Sequence, residues 1–166
     1  MTDRVSPRLP NDIPALGISL AAAAVAAGVG GLASANAAAQ YGMLAQPSWA
    51  PPAWVFGPVW TVLYVLMGVA AWLVWRTRPP VPASALTAYG IQLVLNALWT
   101  PLFFGLGWRG AALAEIAVLW IALLVTIALF WVRSRAAAVL LLPYLVWTTF
   151  AACLNFAVWQ LNTAAV

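Results

Sequence analysis

The sequence contains no histidine and no lysine, and its charged residues are limited to seven arginines and three acids. Catalysis by paired titratable side chains is excluded for the apolar segments, because Glu115 is the only acid within them and no imidazole or amine accompanies it. The single cysteine, Cys153, excludes an internal disulfide and leaves no ligand set for a metal such as zinc. Without a lysine-rich run or a basic face, the chain also lacks the features of a nucleic-acid-binding protein.

Apolar residues dominate the composition. Hydrophobic residues make up 66% of the chain and charged residues 6%, whereas about 25% of a typical globular chain is charged. The charges fall in clusters separated by apolar runs of roughly twenty residues or more, which is the length that a helix needs to cross a hydrocarbon core. The sequence therefore predicts an integral membrane protein.

The apolar runs and the breaks between them predict an all-α fold with five transmembrane helices in one domain. The predicted helices cover residues 13–35, 54–75, 84–105, 110–132 and 136–161 of a domain spanning 13–162, after a flexible tail at 1–12. Pro101 and Pro143 lie inside the third and fifth predicted helices, where each frees a backbone carbonyl and favours a kink.

The arginines are distributed unevenly between the two ends of these helices. Six lie at one end, namely Arg4, Arg8, Arg76, Arg78, Arg133 and Arg135. Arg109 alone lies at the other end. Positively charged loops stay on the cytoplasmic side, so we expect a cytoplasmic amino terminus, and the all-helical spans favour a bacterial inner (plasma) membrane.

A different interpretation of the first apolar run is a secretory signal. Arginines precede it, and the small residues of "ASANAAA" (33–39) follow it at a spacing typical of a cleavage site. The run is longer than a typical signal core and the tail contains two acids. These features favour a first transmembrane helix.

A segment rich in tryptophan and proline, "SWAPPAWVFGPVW" (48–60), leads into the second predicted helix. Its prolines stiffen the loop and set the helix start, while its indoles present broad apolar faces. Such faces suit a flat conjugated guest, and the family resemblance described below implies that the segment is the lid and rim of a pocket. Tryptophans at other helix ends are typical of the aromatic belt at a membrane surface.

Three helical stripes indicate where such a pocket would lie. Residues spaced three or four apart share one helix face. The stripes are Trp60, Tyr64, Met67 and Ala71; Gln92, Asn96 and Trp99; and Trp147, Ala151, Leu154, Asn155 and Val158. If the faces converge, they form an apolar pocket with a few amides. Equally, Asn96 and Asn155 can simply bond to neighbouring helices.

Glu115 is an acid within the fourth predicted helix. An intramembrane carboxylate is a functional candidate by default. Its shallow position also suits an interfacial or neutralised carboxyl near Arg109, and the sequence leaves both interpretations open.

Three longer stretches resemble one family. They are "QPSWAPPAWVFGPVWTVLY" (46–64), "QLVLNALWTPLFFG" (92–105) and "PYLVWTTFAACLNFAVWQLN" (143–162). In order and spacing they are similar to the TspO/MBR family, the tryptophan-rich sensory proteins that include the mitochondrial translocator protein. The resemblance implies a five-helix bundle, commonly a homodimer, whose long first loop caps a pocket for porphyrins.

The resemblance also implies which residues bind the ligand. Trp60, Asn96 and Trp147 match pocket positions of the family. Together with the stripes and the lid, the predicted ligand-binding set is Trp49, Trp60, Tyr64, Gln92, Asn96, Trp99, Trp147, Ala151 and Leu154. No cofactor or metal is expected, since the porphyrin is the ligand. The family's cholesterol-recognition pattern is altered here, with Phe156 in place of the tyrosine and Gln160 in place of the basic residue.

The leading hypothesis is a membrane receptor or carrier for porphyrins and similar flat hydrophobic ligands, linked to oxygen, light or stress responses. A second hypothesis is light-dependent porphyrin degradation, in which Trp60 and Trp147 donate electrons to the excited guest. Proton-coupled efflux through Glu115 and a structural role in an assembly are further alternatives. A conventional enzyme is not expected, because the apolar segments lack an acid–base pair.

Overall fold

The computed structural model describes residues 13–33, 36–77 and 83–163. The predicted tail at 1–12, residues 34 and 35 of the alternative cleavage segment, and Arg78 lie outside the described residues. Throughout the described part of the chain the regular structure is helical. The all-α prediction is therefore confirmed for these residues.

Six helices are present in the described residues. They are α1 (Ile13–Ala33), α2 (Ala37–Met43), α3 (Phe56–Trp75), α4 (Ala83–Thr100), α5 (Arg109–Arg133) and α6 (Arg135–Thr163). The sequence predicts a loop over residues 36–53, and that prediction is wrong where α2 forms. The alanines at 37–39 have the highest helix propensity of any residue, which favours the extra helix.

Prolines fix the entry into α3. Pro52 adopts an extended conformation, and a single 3₁₀ turn at Ala53–Val55 connects it to the helix. Pro58 is the third residue of α3. A proline is tolerated there because the first amides of a helix have no partner within it. The expected role of the prolines in starting this helix agrees with these positions.

Pro101 changes the form of the helix that contains it. α4 ends at Thr100, and a π-helical turn follows at Pro101–Gly105, closed by the hydrogen bond from the Leu106 amide to the Pro101 carbonyl at 2.9 Å. Prolines and π-type turns are both common where a helix is locally disturbed. In contrast, α6 continues as one helix through Pro143.

The five long helices pack in a ring. α1 contacts α3 and α4, α6 contacts α3 and α5, and α4 contacts α5. Two glycines allow close approach within this ring. A side chain at Gly68 of α3 would meet Leu20 of α1, and one at Gly110 of α5 would meet the indole of Trp159 on α6. The ring encloses one hollow end and one densely packed end.

The packed end contains most of the large buried side chains. Met67, Leu141 and Tyr144 have no exposed surface, and Tyr89 of α4 stacks on Phe130 of α5 with ring centroids 5.9 Å apart. This end holds the bundle together beneath the cavity. Because α4 and α5 meet here through aromatic rings, their spacing is fixed below the hollow.

Apolar side chains also cover much of the outer surface. Val62, Val94, Ile121 and Val146 are examples on four different helices, each at least half exposed. By length and composition, three stretches of the described helices are sufficient to cross a membrane: Ala53–Trp75, Arg109–Arg133 and Arg135–Thr163. An apolar exterior on membrane-length helices is what contact with lipid requires.

Candidate ligand-binding cavity

A cavity of about 710 Å³ lies inside the helical ring. All five long helices contribute to its wall, and α2 contributes Ala37, Ala38 and Tyr41. Cavities that bind small organic ligands typically have volumes of about 300 to 1,000 Å³. The size therefore suits a guest of several fused or linked rings.

Seven of the nine predicted ligand-binding residues line this cavity. From α3 and α4 come Trp60, Tyr64, Asn96 and Trp99, and from α6 come Trp147, Ala151 and Leu154. The three stripes thus converge on one space. The helices that carry them are joined into the ring through the α3–α6, α4–α5 and α5–α6 contacts.

Gln92 and Trp49 do not line the cavity. Gln92 is completely buried one turn below Asn96, and neither atom of its amide has a hydrogen-bond partner among the described residues. Trp49 is half-exposed and packs its ring against Phe150, with centroids 5.8 Å apart. Both were predicted to bind ligand, but neither contributes to the cavity lining.

Aromatic rings form much of the wall. Trp60 lies beside Tyr64 with ring centroids 5.5 Å apart, and Trp147 contacts Phe56 edge-on at 5.8 Å. These neighbouring rings pack against the two indoles. Flat, fixed aromatic faces favour a planar apolar guest, since stacked and edge-on rings attract each other.

Asn96 joins three helices through a short hydrogen-bond chain. The Tyr64 hydroxyl of α3 donates to Asn96 Oδ1 at 2.6 Å, and Asn96 Nδ2 donates to the Tyr144 hydroxyl of α6 at 2.9 Å. Tyr144 is fully buried behind the cavity wall. The prediction that Asn96 bonds to neighbouring helices is therefore confirmed. The row of hydrogen bonds from Tyr64 through Asn96 to Tyr144 forms the polar floor of the cavity.

Asn155 has a similar role between α4, α5 and α6. It accepts a hydrogen bond from Trp99 Nε1 at 3.2 Å and donates through Nδ2 to the Arg109 carbonyl at 2.9 Å. Trp99 also stacks on Phe103 with centroids 4.9 Å apart. The indole of Trp99 is therefore held on both its polar and its apolar side, and its ring offers a fixed wall to a guest.

Trp147 lines the cavity and carries a buried hydrogen-bond donor that is not used. Its Nε1 is buried and has no hydrogen-bond partner within the described chain. An indole N–H can only donate, and a buried donor without a partner is unfavourable. Because this nitrogen has no accessible surface, a guest in the cavity could accept from it only after neighbouring side chains moved.

The segment after α1 covers the open end of the cavity. The Tyr41 hydroxyl of α2 donates to the Pro51 carbonyl at 3.2 Å, and the Tyr41 ring packs edge-on against Phe56 at 5.3 Å. Asn162, near the end of α6, binds the backbone of Ala45 twice: its Oδ1 accepts from the Ala45 amide at 3.1 Å and its Nδ2 donates to the Ala45 carbonyl at 3.0 Å. We call residues 36–53 the lid.

The first helix contributes small side chains to the wall. Ala23, Ala24 and Ala27 line the cavity together with Leu20. None of these four was predicted as a site residue, although the alanine-rich composition of the first predicted helix indicates close helix packing. Phe103 and Phe104 were also missed, and they stand in the stretch "QLVLNALWTPLFFG" that carries part of the family resemblance.

Comparison with known protein families shows to which family the chain belongs. The TspO/MBR family matches residues 18–160, which is most of the sequence. The chain belongs to the TspO/MBR family. It is similar to the tryptophan-rich sensory protein of Cereibacter sphaeroides, 43% identical over 122 residues that cover 74% of this chain and 76% of the relative. The human translocator protein is 41% identical over 125 residues, 74% of each chain.

A further relative is the protein CrtK of Rhodobacter capsulatus, 36% identical over 126 residues that cover 75% of this chain and 79% of the relative. Family membership together with the long apolar helices makes this an integral membrane protein. Among the residues that the structure describes, no three potential metal-binding side chains lie together.

In this TspO/MBR protein, Glu115 does not line the cavity. Both of its carboxylate oxygens are buried and have no hydrogen-bond partner in the described chain. It makes no ion pair with Arg109 there. Pairing with Arg109, which the sequence leaves open, is therefore not the arrangement found.

The two bonds between Asn162 and Ala45 predict how firmly the lid is held. Asn162→Ala should speed amide hydrogen exchange of residues 44–50 by about tenfold, because the net loss of two exposed hydrogen bonds is roughly 1.4 kcal/mol. Hydrogen-exchange mass spectrometry of the detergent-solubilised protein measures this. Thr163→Ala is the matched control, since the Thr163 hydroxyl bonds only within its own helix. Equal exchange in all three proteins would show that Asn162 does not hold the lid.

Proposed function

We propose that this TspO/MBR protein is a membrane receptor or carrier that binds porphyrins and similar flat hydrophobic ligands within the helical ring. The observation that carries the proposal is the convergence of Trp60 and Trp147 on one cavity of about 710 Å³. A tetrapyrrole is planar, apolar over both faces and polar at its edge. The cavity offers matching surfaces, with indole faces in its walls and a polar floor.

The polar and apolar groups of the cavity wall support ligand binding without acid–base catalysis. Asn96 is already bonded at both ends to tyrosine hydroxyls. Trp147 Nε1 is buried without a partner, and a guest could accept from it only after neighbouring side chains moved. Recognition would therefore combine apolar stacking with one or a few hydrogen bonds, which is the usual composition of a ligand pocket.

We further propose that all five long helices cross the membrane as one domain, with the amino terminus in the cytoplasm of a bacterium and the protein in its inner membrane. α1 and α4 have 21 and 18 residues, which corresponds to about 27 to 32 Å of helix. Arg76, Arg133 and Arg135 lie at the end of the ring opposite Arg109. This asymmetry supports the orientation, since cationic loops remain in the cytoplasm. The homodimer implied by the family stays a prediction.

The binding proposal is tested by titrating the purified protein with protoporphyrin in the dark and following the porphyrin absorption bands. Darkness prevents any photo-oxidation by the cavity tryptophans from removing the ligand. Binding should saturate, and Trp60→Phe combined with Trp147→Phe should raise the Kd by about tenfold, because each indole contributes roughly 0.5 to 1.5 kcal/mol of stacking.

The matched control replaces two tryptophans that do not line the cavity, Trp54 and Trp108, with phenylalanine. Both are strongly exposed, at 74% and 60%. That variant should bind like the unmodified protein. An unchanged Kd in the Trp60 and Trp147 variant would show that the cavity is not the binding site, and titration without saturation would overturn the function itself.

A further inference from the structure

A second, smaller cavity of about 280 Å³ lies beside the first, between the lid and the start of α5. It is lined by Gln40, Met43, Leu44, Phe103, Phe104 and Arg109. Phe103 and Phe104 also line the main cavity. The two spaces are therefore neighbours that share a pair of phenylalanine rings in their linings.

Arg109 gives the small cavity its charge. The Arg109 side chain is partly buried, and its Nε is inaccessible and has no hydrogen-bond partner within the described residues. The lid carries no charged residue, and Glu115, the sole acid in the described part of the chain, does not pair with it. A partly desolvated cation without a counter-charge is unfavourable, so an anion beside it would be stabilised.

The position of Arg109 is fixed by the backbone around it. Gly107, in the left-handed conformation with φ 66°, makes the turn before α5, and the Arg109 amide donates to the Gly107 carbonyl at 2.9 Å. The Arg109 carbonyl accepts from Asn155. The guanidinium therefore extends from an anchored residue, which lowers the entropy lost when it binds a ligand.

The chemistry of the lining narrows the kind of anion. A guanidinium presents a planar pair of N–H donors that fits the two oxygens of a carboxylate or phosphate. Gln40 adds an amide that can also donate. Met43, Leu44 and the two phenylalanines are apolar and suit a short methylene arm that carries the charged group.

We propose that the small cavity is a carboxylate subsite, in which Arg109 binds the acidic side arm of a planar guest whose ring system occupies the main cavity. This inference rests on the proposed function and narrows its substrate class to flat hydrophobic carboxylic acids. Esters and uncharged ring systems would use the main cavity alone. Arg109 thus determines specificity among guests that stack equally well.

The test compares protoporphyrin IX, which has two carboxylates, with its dimethyl ester. The unmodified protein in nanodiscs of neutral phosphatidylcholine should bind the acid about tenfold more tightly than the ester, as one hydrogen-bonded charge pair provides. Arg109→Gln should weaken acid binding by about tenfold and leave ester binding unchanged. Arg133→Gln, at the exposed far end of α5, is the matched control for loss of one positive charge and should retain the preference.

The outcomes separate this inference from the function on which it rests. Equal affinity of the unmodified protein for acid and ester overturns the subsite and leaves porphyrin binding intact, whereas failure of both ligands to bind overturns the proposed function. The comparison on the unmodified protein remains decisive even if Arg109→Gln does not fold. Unchanged ester binding shows that the variant is folded.

A lipid phosphate has the same chemistry as the proposed carboxylate and is a different source of the anion. The titrations are therefore repeated in nanodiscs containing phosphatidylglycerol. An acid preference of the same size in both lipids supports the carboxylate subsite. Loss of the preference in the anionic lipid would assign the small cavity to a lipid headgroup and overturn the proposal.

Discussion

Replacing Asn96 with leucine is expected to lower the free energy of unfolding by about 2 to 4 kcal/mol, because two tyrosine hydroxyls lose their partner at once. The Tyr144 hydroxyl loses its hydrogen bond from Asn96 in a fully buried position, and Tyr64 loses the acceptor for its hydroxyl. The Tyr64 hydroxyl borders the cavity and can recover part of the loss through water. Thermal unfolding in detergent, followed by circular dichroism, measures the change.

Two further variants decide whether the hydrogen bonds are the cause. Adding Tyr64→Phe and Tyr144→Phe to Asn96→Leu should restore most of the lost stability, since removing all polar partners leaves no buried hydroxyl unpaired. Gln160→Leu, an exposed amide-to-leucine change on α6, should alter stability by no more than about 0.5 kcal/mol. If the triple variant is as unstable as Asn96→Leu alone, loss of packing rather than of hydrogen bonds explains the effect.

Gly68→Val is expected to destabilise the protein by about 2 to 3 kcal/mol and to weaken binding in the main cavity, because added atoms force α1 away from α3. A Cβ at this position would lie 2.6 Å from Leu20 Cδ2 and 3.3 Å from Leu20 Cα. The Leu20 side chain can move, but its backbone can move only if α1 shifts as a whole. Leu20 lines the cavity, so the same shift alters the binding site.

Gly90→Val provides the matched control for this steric effect. An added Cβ at Gly90 of α4 meets no atom within 4 Å. Thermal unfolding and porphyrin titration of both variants measure the difference. Gly90→Val should match the unmodified protein in stability and affinity, whereas Gly68→Val should be lower in both. Equal stability of the two variants would mean that the α1–α3 contact is not tight at Gly68.

Helical periodicity located the cavity faces but not their extent along the helix axis. Trp60, Tyr64, Met67 and Ala71 share one face, as predicted, yet the first two line the cavity and the last two lie in the packed core. Gln92 shares the face of Asn96, but it is also buried in the packed core and does not line the cavity. Spacing determines direction around a helix, whereas the depth at which a bundle is hollow depends on side chains from all the other helices.

Features set by tertiary contacts were not predictable from one segment. α2 is seven residues long, too short to be stable alone, and Tyr41 anchors it through Pro51 and Phe56. The proline at 101 indicated a disturbed helix but not that a π-helical turn would carry both Phe103 and Phe104 to the cavities. The sequence used Arg109 as a topological marker and a possible neighbour of Glu115 but not as a ligand-binding residue, because its place in the small cavity depends on the lid that packs beside it.

The alanine wall of α1 has a consequence for evolution within the family. This helix supplies no indole, hydroxyl or charge at Ala23, Ala24 or Ala27, so its influence on recognition is purely steric. Exchanging these methyl groups for larger side chains would shrink the interior while leaving the tryptophan and asparagine framework untouched. If guests bind as proposed, the size of ring system that fits is therefore set in part by these three alanine positions, without any change in polar groups.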